Sequence, residues 1–331
     1  MKRNKISILL LSTILTLTGC NIKGKTYDAS EYILESPYKD DYKILQLSDI
    51  HFANKDNQQL HLDFLKLTIE DANPDMIIAT GDLFTFADRI TAKRLFRFFD
   101  SFEIPWTVTF GNHDEQCYFS IDWLTKHLNT SYKYCLFKDI LDDDVFGNAN
   151  FAINLTKDNK VFEQLIIMDS NRYYYGSDYL GYDYIKEDQI DWYERVVNYT
   201  TLNNNNEVVP SLLFFHIPVP EFEIAWNDYQ EGKDGVEYVS GGKKEDVCCP
   251  KTNSGFFTKI KQLDSTKGIF VGHDHVNDYI LKYQGIYLSY GIHSTNRIYY
   301  DDSLLGGRTI TIHNDHSLSF GSIFHSYQEV I

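Results

Sequence analysis

The fold of this chain is decided by YKILQLSDIH at residues 42–51 and DMIIATGD at residues 75–82. In each stretch, an apolar run with the pattern of a strand leads directly into polar residues that include an aspartate. Between them, Leu60–Ala72 has apolar residues at helical spacing, and Asn73-Pro74 ends that helix. Strand, helix and strand in this order predict a βαβ unit with an acidic loop after each strand.

The same arrangement of a strand followed by polar residues returns further along the chain. The predicted strands are Trp106–Phe110, Phe162–Met168, Ser211–Phe215 and Gly268–Val271, and the predicted helices are Ala92–Phe102 and Ile185–Tyr199. Ligand sites of open α/β sheets lie beyond the carboxyl ends of the strands, so the loops are expected to converge. The tail, residues 280–324, has repeated β-type runs that predict an antiparallel second sheet.

The polar residues after these strands are of the kinds that bind divalent metal ions, which favour imidazole and carboxylate ligands. Asp49-x-His51 allows two side chains of one short loop to reach one ion. Asp82 can bridge two ions through its two oxygens, and Asn112 offers a neutral carbonyl oxygen. The histidines available for the remaining positions are His216, His273 and His275.

Taken in order, these motifs resemble those of one family. They are Asp49-x-His51, Gly81-Asp82, Gly111-Asn112-His113-Asp114, His216 and Gly272-His273-x-His275. Each motif alone is common by chance, but the five in this order resemble the calcineurin-like metallophosphoesterase superfamily. The resemblance covers most of the chain beyond residue 41. It implies an α/β fold, a four-layer α/β sandwich in which two packed mixed β-sheets are flanked by helices.

The resemblance also implies a role for each matching residue. The ligands of one metal ion would be Asp49, His51, Asp82 and His275. The ligands of the other would be Asp82, Asn112, His216 and His273. A hydroxide that bridges the ions would attack phosphorus, and His113 would contact the phosphate or protonate the leaving oxygen. The implied cofactors are two divalent ions (Mn, Fe or Zn), and the implied partner is a phosphate-ester substrate.

The surrounding sequence is similar to a branch grouped with the purple acid phosphatases of plants and fungi. The similar segments are Gly272–Asp278, His216–Pro218 with Pro220–Phe222, and Asn253–Phe257. The purple enzymes carry a tyrosine three residues after the bridging aspartate, whereas this chain has Thr85. They also lack the histidine that His51 supplies. We therefore expect a colourless enzyme without a tyrosinate-bound ferric ion.

The start of the chain has the pattern of an export signal. A basic segment is followed by the apolar run Ile6–Leu17, which is too short to span a bilayer, and by Leu17-Thr18-Gly19-Cys20. This ending resembles the lipobox of bacterial lipoproteins, which implies that residues 1–19 are removed and that Cys20 is lipidated. The alternatives are an ordinary cleaved signal with a coincidental cysteine, or a membrane span.

The signal predicts where the protein is located. We expect it to be exported and attached through lipidated Cys20 to the outer face of a bacterial membrane. Residues 20–40 would be the lipidated cysteine and a tether, and residues 41–331 the metallophosphoesterase domain, as one large domain or two. Loss of the three positive charges in residues 1–19 would take the formal charge from −16 to −19. Such an acidic protein is not expected to bind nucleic acid.

Other residues carry weaker signals. Four cysteines remain after Cys20, and we interpret them as structural or free thiols because no histidine is paired with them. The tyrosines from Tyr173 to Tyr184 could stack on an aromatic leaving group or be ordinary rim residues. Asp114 and Asp274 could orient ligands, and Arg172 could bind phosphate or form a surface ion pair. His293 could approach the site, although a packed core histidine is the simpler interpretation.

Three functions are compatible with these motifs. The leading hypothesis is a phosphomonoesterase. The alternative is a phosphodiesterase acting on nucleotides or lipid headgroups, because the same core serves both reactions. A non-catalytic lipoprotein that binds phosphate or a partner is the third, and the complete set of motif residues argues against it.

Overall fold

The computed structural model describes residues 28–55, 57–138, 144–177 and 179–331. The predicted signal peptide, Cys20 and residues 21–27 lie outside these ranges. The strands are β1 (Ile33–Pro37), β2 (Tyr42–Leu47), β3 (Met76–Thr80), β4 (Trp106–Thr109), β5 (Phe151–Lys157), β6 (Lys160–Ile167), β7 (Tyr173–Tyr175), β8 (Leu180–Tyr182), β9 (Ser211–Phe214), β10 (Val236–Ser240), β11 (Thr266–Val271), β12 (Ile280–Tyr283), β13 (Ile286–Tyr290), β14 (Gly306–Ile312) and β15 (Leu318–Phe324). The α-helices are α1 (Gln58–Ala72), α2 (Arg89–Asp100), α3 (Ile121–Ser131), α4 (Glu187–Asn203), α5 (Glu221–Gln230) and α6 (Phe256–Leu263).

Two mixed sheets make up most of the fold. The smaller has the strand order β15-β14-β2-β3-β4, and the larger has the order β1-β5-β6-β9-β11-β13-β12-β10. In the smaller sheet β2, β3 and β4 are parallel, so β2, α1 and β3 form the predicted βαβ unit. In the larger sheet β9 and β11 are also parallel. The pairing of β7 with β8 forms a separate short hairpin.

Alternating side chains of the larger sheet define the layers. On β9, Leu212 and Phe214 belong to the core that the two sheets share. Leu213 points the other way and joins a second core with Trp192 and Val196 of α4. Because successive residues of a strand face opposite sides, the larger sheet is packed on both faces. The result is the predicted four-layer arrangement, with helices outside two packed sheets.

Local sequence signals fix several helix ends. Asp88 caps α2, since its side chain accepts hydrogen bonds from the main-chain N–H groups of Ile90 and Thr91. Asn73, in the left-handed conformation, ends α1 and is followed by a proline, which cannot continue a helix. In the described ranges, no helix combines the length and apolar character needed to cross a membrane.

The structure corrects the predicted start of the fold at residue 41. Strand β1 pairs in parallel with β5 at the edge of the larger sheet, so its residues are not part of a tether. Just before it, Tyr32 is 1% exposed and its ring packs edge-on against Trp192 of α4 at 5.8 Å between centroids. The fold therefore includes residues before 41, and Ala29 is itself buried in its core.

The tail also differs from the prediction of one antiparallel second sheet. It consists of two antiparallel hairpins that join different sheets. The hairpin β12–β13 extends the larger sheet next to β11, and the hairpin β14–β15 extends the smaller sheet next to β2. The tail thus contributes two strands to each sheet, and the segment between the hairpins contacts the ligand loops at Ser48 and His275.

Candidate metal centre

Each candidate ligand lies in a loop just after the carboxyl end of a strand. Strands β2, β3 and β4 of the smaller sheet lead to Asp49, His51, Asp82 and Asn112. Strands β9 and β11 of the larger sheet lead to His216, His273 and His275. Hydrogen bonds join the loops across the two sheets, since His216 Nδ1 donates to the main-chain oxygen of Thr80 at 2.8 Å. The convergence expected from the sequence is therefore present.

The acidic and histidine candidates form two buried clusters. In each cluster, one potential ligand atom per residue lies within 4.8 Å of every other. The first cluster consists of Asp49, His51, Asp82 and His275. The second cluster consists of Asp82, His216 and His273. Asp82 belongs to both, as a bridging ligand would, so the geometry is that of a site for two cations.

The surroundings of the Asn112 side chain are those expected of a further ligand for the second cluster. Its amide Nδ2 donates to the hydroxyl oxygen of Tyr173 at 2.9 Å, which orients the side chain. Its Oδ1 is buried and has no hydrogen-bond partner. A buried polar atom without a partner costs free energy. A cation at the second cluster would satisfy it, and the buried Nε2 of His273 likewise has no partner.

The orientation of the histidine rings also fits bound cations. His275 Nδ1 donates to the main-chain oxygen of Tyr299 at 2.8 Å, as His216 Nδ1 does to Thr80. In a neutral ring this leaves Nε2 as an acceptor. His275 Nε2 lies 3.1 Å from His51 Nε2, and His216 Nε2 lies 3.3 Å from His273 Nδ1. Nitrogen lone pairs brought this close together suit ligation of a common ion.

The buried carboxylates of the clusters favour positive charge next to them. Burial by itself would raise the pKa of Asp82, but the adjacent His216 holds that pKa below its usual range. Burial would lower the pKa of His216, whereas Asp82 and Asp49 raise it to about 10. Burial lowers the pKa of His273 to about 3. Two buried carboxylates thus retain a proton on His216 in the metal-free protein, and bound cations would take its place.

Close packing explains two glycines of the motifs. A Cβ atom added at Gly111 would lie 2.2 Å from Asp82 Oδ1, and one at Gly272 would lie 1.9 Å from Ser48 Oγ. Larger residues would therefore displace the ligand loops. Asp49 and Asp82 have left-handed backbone conformations, with φ of 54° and 47°. Such conformations are costly outside glycine and occur where the surrounding structure imposes them, often at functional sites.

His113 lies at the edge of the two clusters without belonging to either. Its main-chain N–H donates to Asp82 Oδ1 at 2.8 Å, and its ring lies 5.3 Å from that of His51. Its Nδ1 is 2.8 Å from Gln116 Oε1. Because an amide oxygen only accepts, Nδ1 is the donor in this hydrogen bond, and Nε2 is not engaged by Gln116.

The tyrosine-rich hairpin lies over the second cluster. Tyr173 holds Asn112, and the ring of Tyr182 packs edge-on against His273 at 4.3 Å. These two tyrosines therefore contact candidate ligands directly, which the sequence alone did not distinguish. Arg172 instead pairs with Glu115, which matches the ion-pair interpretation.

Asp114 and Asp274 both hold loops of the site in place. Asp114 accepts hydrogen bonds from the main-chain N–H groups of Phe84 and Gly111, on either side of the second cluster. Burial raises the pKa of Asp114 to about 8, and the nearby Asp82 adds to the effect. Asp274 accepts from Tyr290 and Asn277. Both aspartates support ligand loops through other groups and do not lie in the clusters.

The site contains two contacts that the sequence did not reveal. Thr85, at the position where purple enzymes have a tyrosine, has its Oγ1 2.7 Å from His51 Nδ1. His293 is buried and its ring stacks on that of His275 at 4.2 Å. The sequence allowed an approach of His293 to the site, but it did not predict the stacking on His275, because His293 belongs to no motif. For the contact between Thr85 and His51, the only signal in the sequence was that Thr85 lies three residues after Asp82.

The fold and the two clusters define the class of protein. Two mixed sheets between helices carry two aspartate and histidine clusters that share Asp82, an arrangement consistent with a site for two metal ions. The model of the calcineurin-like phosphoesterase family matches residues 42–277. The chain belongs to this family.

Comparison with known proteins places the chain near plant and fungal phosphatase-like proteins. It is 30% identical to "Probable inactive purple acid phosphatase 29" of Arabidopsis thaliana, over 88% of this chain and 81% of that protein. It is 27% identical to "Phosphatase DCR2" of Saccharomyces cerevisiae, over 83% of this chain and 52% of that protein. The chain therefore matches about half of the yeast protein.

A solved structure shares the fold. The crystal structure of a dimetal phosphatase from Danio rerio superposes with a TM-score of 0.53 at 12% sequence identity, covering 86% of this chain and 96% of that one. At this identity the likeness concerns the fold alone. It agrees with the predicted α/β sandwich.

Proposed function

We propose that the protein hydrolyses phosphomonoesters with two divalent metal ions, held by the first cluster and by the second cluster with Asn112. The observation that carries this proposal is the sharing of Asp82 between two buried clusters, with His113 anchored to the same carboxylate. When bound, the ions would neutralise phosphate charge and lower the pKa of water. Manganese, iron and zinc all suit the nitrogen and oxygen donor set.

Different residues of the chain would then bind the ions, orient the ligands and supply the proton. The ligand residues would hold the ions to which the phosphate binds, and Tyr173 and Thr85 would hold Asn112 and His51 in place. His113 would give a proton from Nε2 to the leaving oxygen, because Gln116 occupies its other nitrogen. An imidazolium group suits this task because it can give the proton on Nε2 while Nδ1 keeps its hydrogen bond to Gln116.

A cavity lies next to the tyrosine-rich hairpin. Its volume is about 290 Å³, and its walls include Glu115, Arg172 and Tyr173. Glu115 is two residues from His113, and Tyr173 holds Asn112. The cavity is thus lined by residues that neighbour or contact the site, and the candidate ligands and His113 do not line it.

The complete set of donors supports catalysis over a binding role. Several relatives are named probable inactive phosphatases, and those names concern those proteins. In this chain every residue of the family pattern is present, and the carboxylates and imidazoles lie in two compact clusters.

The test of the function is a pair of chromogenic substrates given to the full chain. We expect hydrolysis of p-nitrophenyl phosphate that a chelator abolishes and that Mn²⁺ or Zn²⁺ restores. Hydrolysis of bis-p-nitrophenyl phosphate should be slower. Faster turnover of the diester would favour a phosphodiesterase, and a protein that binds metal without turning over either ester would support the non-catalytic alternative.

We also propose that the protein acts at the outer face of a bacterial membrane, attached through lipidated Cys20. The support is the sequence of residues 1–20. Growth of bacteria making the full chain with a labelled fatty acid should label the protein, whereas Cys20→Ser should abolish the label. Cys135→Ser is the matched control and should keep it. Equal labelling of the Cys20→Ser variant would refute the anchor.

A further inference from the structure

We propose that residues 293–299, here called the clamp segment, position His275 and the Asp49–His51 loop for the first metal ion. The segment follows β13 and contains no residue of the family motifs. The inference concerns metal binding, so it does not depend on which ester the site cleaves.

The clamp segment encloses the ring of His275. The ring of His293 stacks on it at 4.2 Å with 14° between planes, and the ring of Tyr299 stacks at 4.2 Å with 15°. Two rings cannot share one face at this distance, so they lie on opposite faces. The main-chain oxygen of Tyr299 also accepts from His275 Nδ1 at 2.8 Å. The position, tilt and tautomer of His275 are therefore all set by the clamp segment.

The same segment holds the loop that carries the other ligands of the first cluster. Ser48 N–H donates to Ser294 Oγ at 2.9 Å, and Ser294 N–H donates to the oxygen of Ser48 at 2.9 Å. Thr295 Oγ1 donates to the oxygen of Ile50 at 2.8 Å. These bonds fix the residues on both sides of Asp49. The clamp segment thus joins a loop of the smaller sheet to His275 of the larger one.

The clamp segment contains a strained backbone conformation. His293 Nε2 donates to the oxygen of Arg297 at 3.0 Å, which closes a turn. Directly after that turn, Ile298 has φ of 65° and is 51% exposed. A β-branched residue in the left-handed region is strained, and the strain persists only where the surroundings impose it. Here the turn brings the carbonyl group of Tyr299 to His275.

The second cluster lacks these contacts in the described part of the chain. His216 is held by the main-chain oxygen of Thr80, and His273 packs against Tyr182. Support of one cluster by one segment predicts a selective effect on metal binding. Ordinary core packing predicts instead an equal loss of both metals, together with lower stability.

The test measures Mn²⁺ affinity in variants that retain one cluster each. His273→Ala removes a ligand of the second cluster only and reports on the first, and His51→Ala does the reverse. Adding Tyr299→Ala should weaken Mn²⁺ binding about 10- to 100-fold in the His273→Ala protein, the usual effect of losing a group that orients a ligand. In the His51→Ala protein the same change should alter affinity by less than about threefold. Tyr299 is 45% exposed, so its loss should leave the fold intact.

Conservative variants test whether the Tyr299 ring positions His275 or whether the Tyr299 hydroxyl and other exposed rings also matter. Tyr299→Phe keeps the ring and should keep the affinity of the first cluster, as should Tyr300→Ala, an exposed neighbour. His293→Ala should reproduce the selective loss. Equal weakening of both clusters, no weakening of either, or a Tyr299→Phe variant as impaired as Tyr299→Ala would overturn the proposal.

Discussion

Replacing Asp82 by Asn is expected to lower kcat for phosphomonoesters by about 10³-fold or more and to reduce metal binding at both clusters. The reason is that Asp82 is the one residue common to the two clusters. Loss of a metal pair removes several kcal/mol of charge stabilisation, and each ~1.4 kcal/mol corresponds to tenfold in rate. Metal analysis of the purified variant, beside its rate on p-nitrophenyl phosphate, checks both parts.

The shape of the side chain is kept in this variant. The amide oxygen of Asn can still accept the hydrogen bond that Asp82 Oδ1 takes from His113 N–H. The metal-free variant loses the buried contact between Asp82 Oδ2 and His216 Nε2 at 3.3 Å, so it should unfold at a lower temperature than the metal-free wild type but still fold. Asp191→Asn, an exposed change on α4, is the matched control and should leave rate and metal content unaltered. An Asp82→Asn protein with two bound ions and wild-type turnover would contradict a bridging role.

Replacing His113 by Ala is expected to affect substrates according to their leaving groups. An alkyl phosphate requires protonation of its leaving oxygen, so its kcat should fall by roughly 10²- to 10⁴-fold. p-Nitrophenolate leaves as an anion without protonation, so kcat for p-nitrophenyl phosphate should fall much less. Metal content should stay unchanged, because His113 lies outside both clusters.

The comparison of the two esters distinguishes acid catalysis from phosphate binding. His127→Ala, a change on α3, serves as the control and should leave both rates unchanged. Equal losses on both esters would assign His113 to binding the phosphate instead of protonating the leaving group.

Most of the fold could be predicted from local patterns. Strands β2 and β3 lie in the two stretches predicted to contain strands, and β9 and β11 differ from their predicted bounds by one or two residues, because each is a short apolar run with a polar end. The convergence of the ligand loops followed from their positions after parallel strands. The roles of these residues as metal ligands stay predictions.

The errors arose where long-range pairing decides the structure. Strand β1 is short, and only its pairing with β5 and the packing of Tyr32 on Trp192 place it in the fold. The hairpins β12–β13 and β14–β15 have similar sequence patterns, so nothing local tells which sheet each one joins. Register and partner choice depend on the whole assembled sheet.

The supporting residues of the site were the least predictable. His293 and Tyr299 contact His275 across 18 and 24 positions of the chain, and neither belongs to a motif. Sequence patterns identify ligands because a short loop must carry particular donors. They do not identify the groups that orient those donors, since many residue types can supply a ring face or a carbonyl oxygen.

The most direct test of a dinuclear centre is a titration of the metal-free full chain with Mn²⁺, followed by electron paramagnetic resonance. The account predicts two ions per chain and a spin-coupled spectrum, because a shared carboxylate holds such ions roughly 3.5–4 Å apart. The coupled signal should be absent from Asp82→Asn. One isolated ion per chain, or two uncoupled ions, would contradict the account.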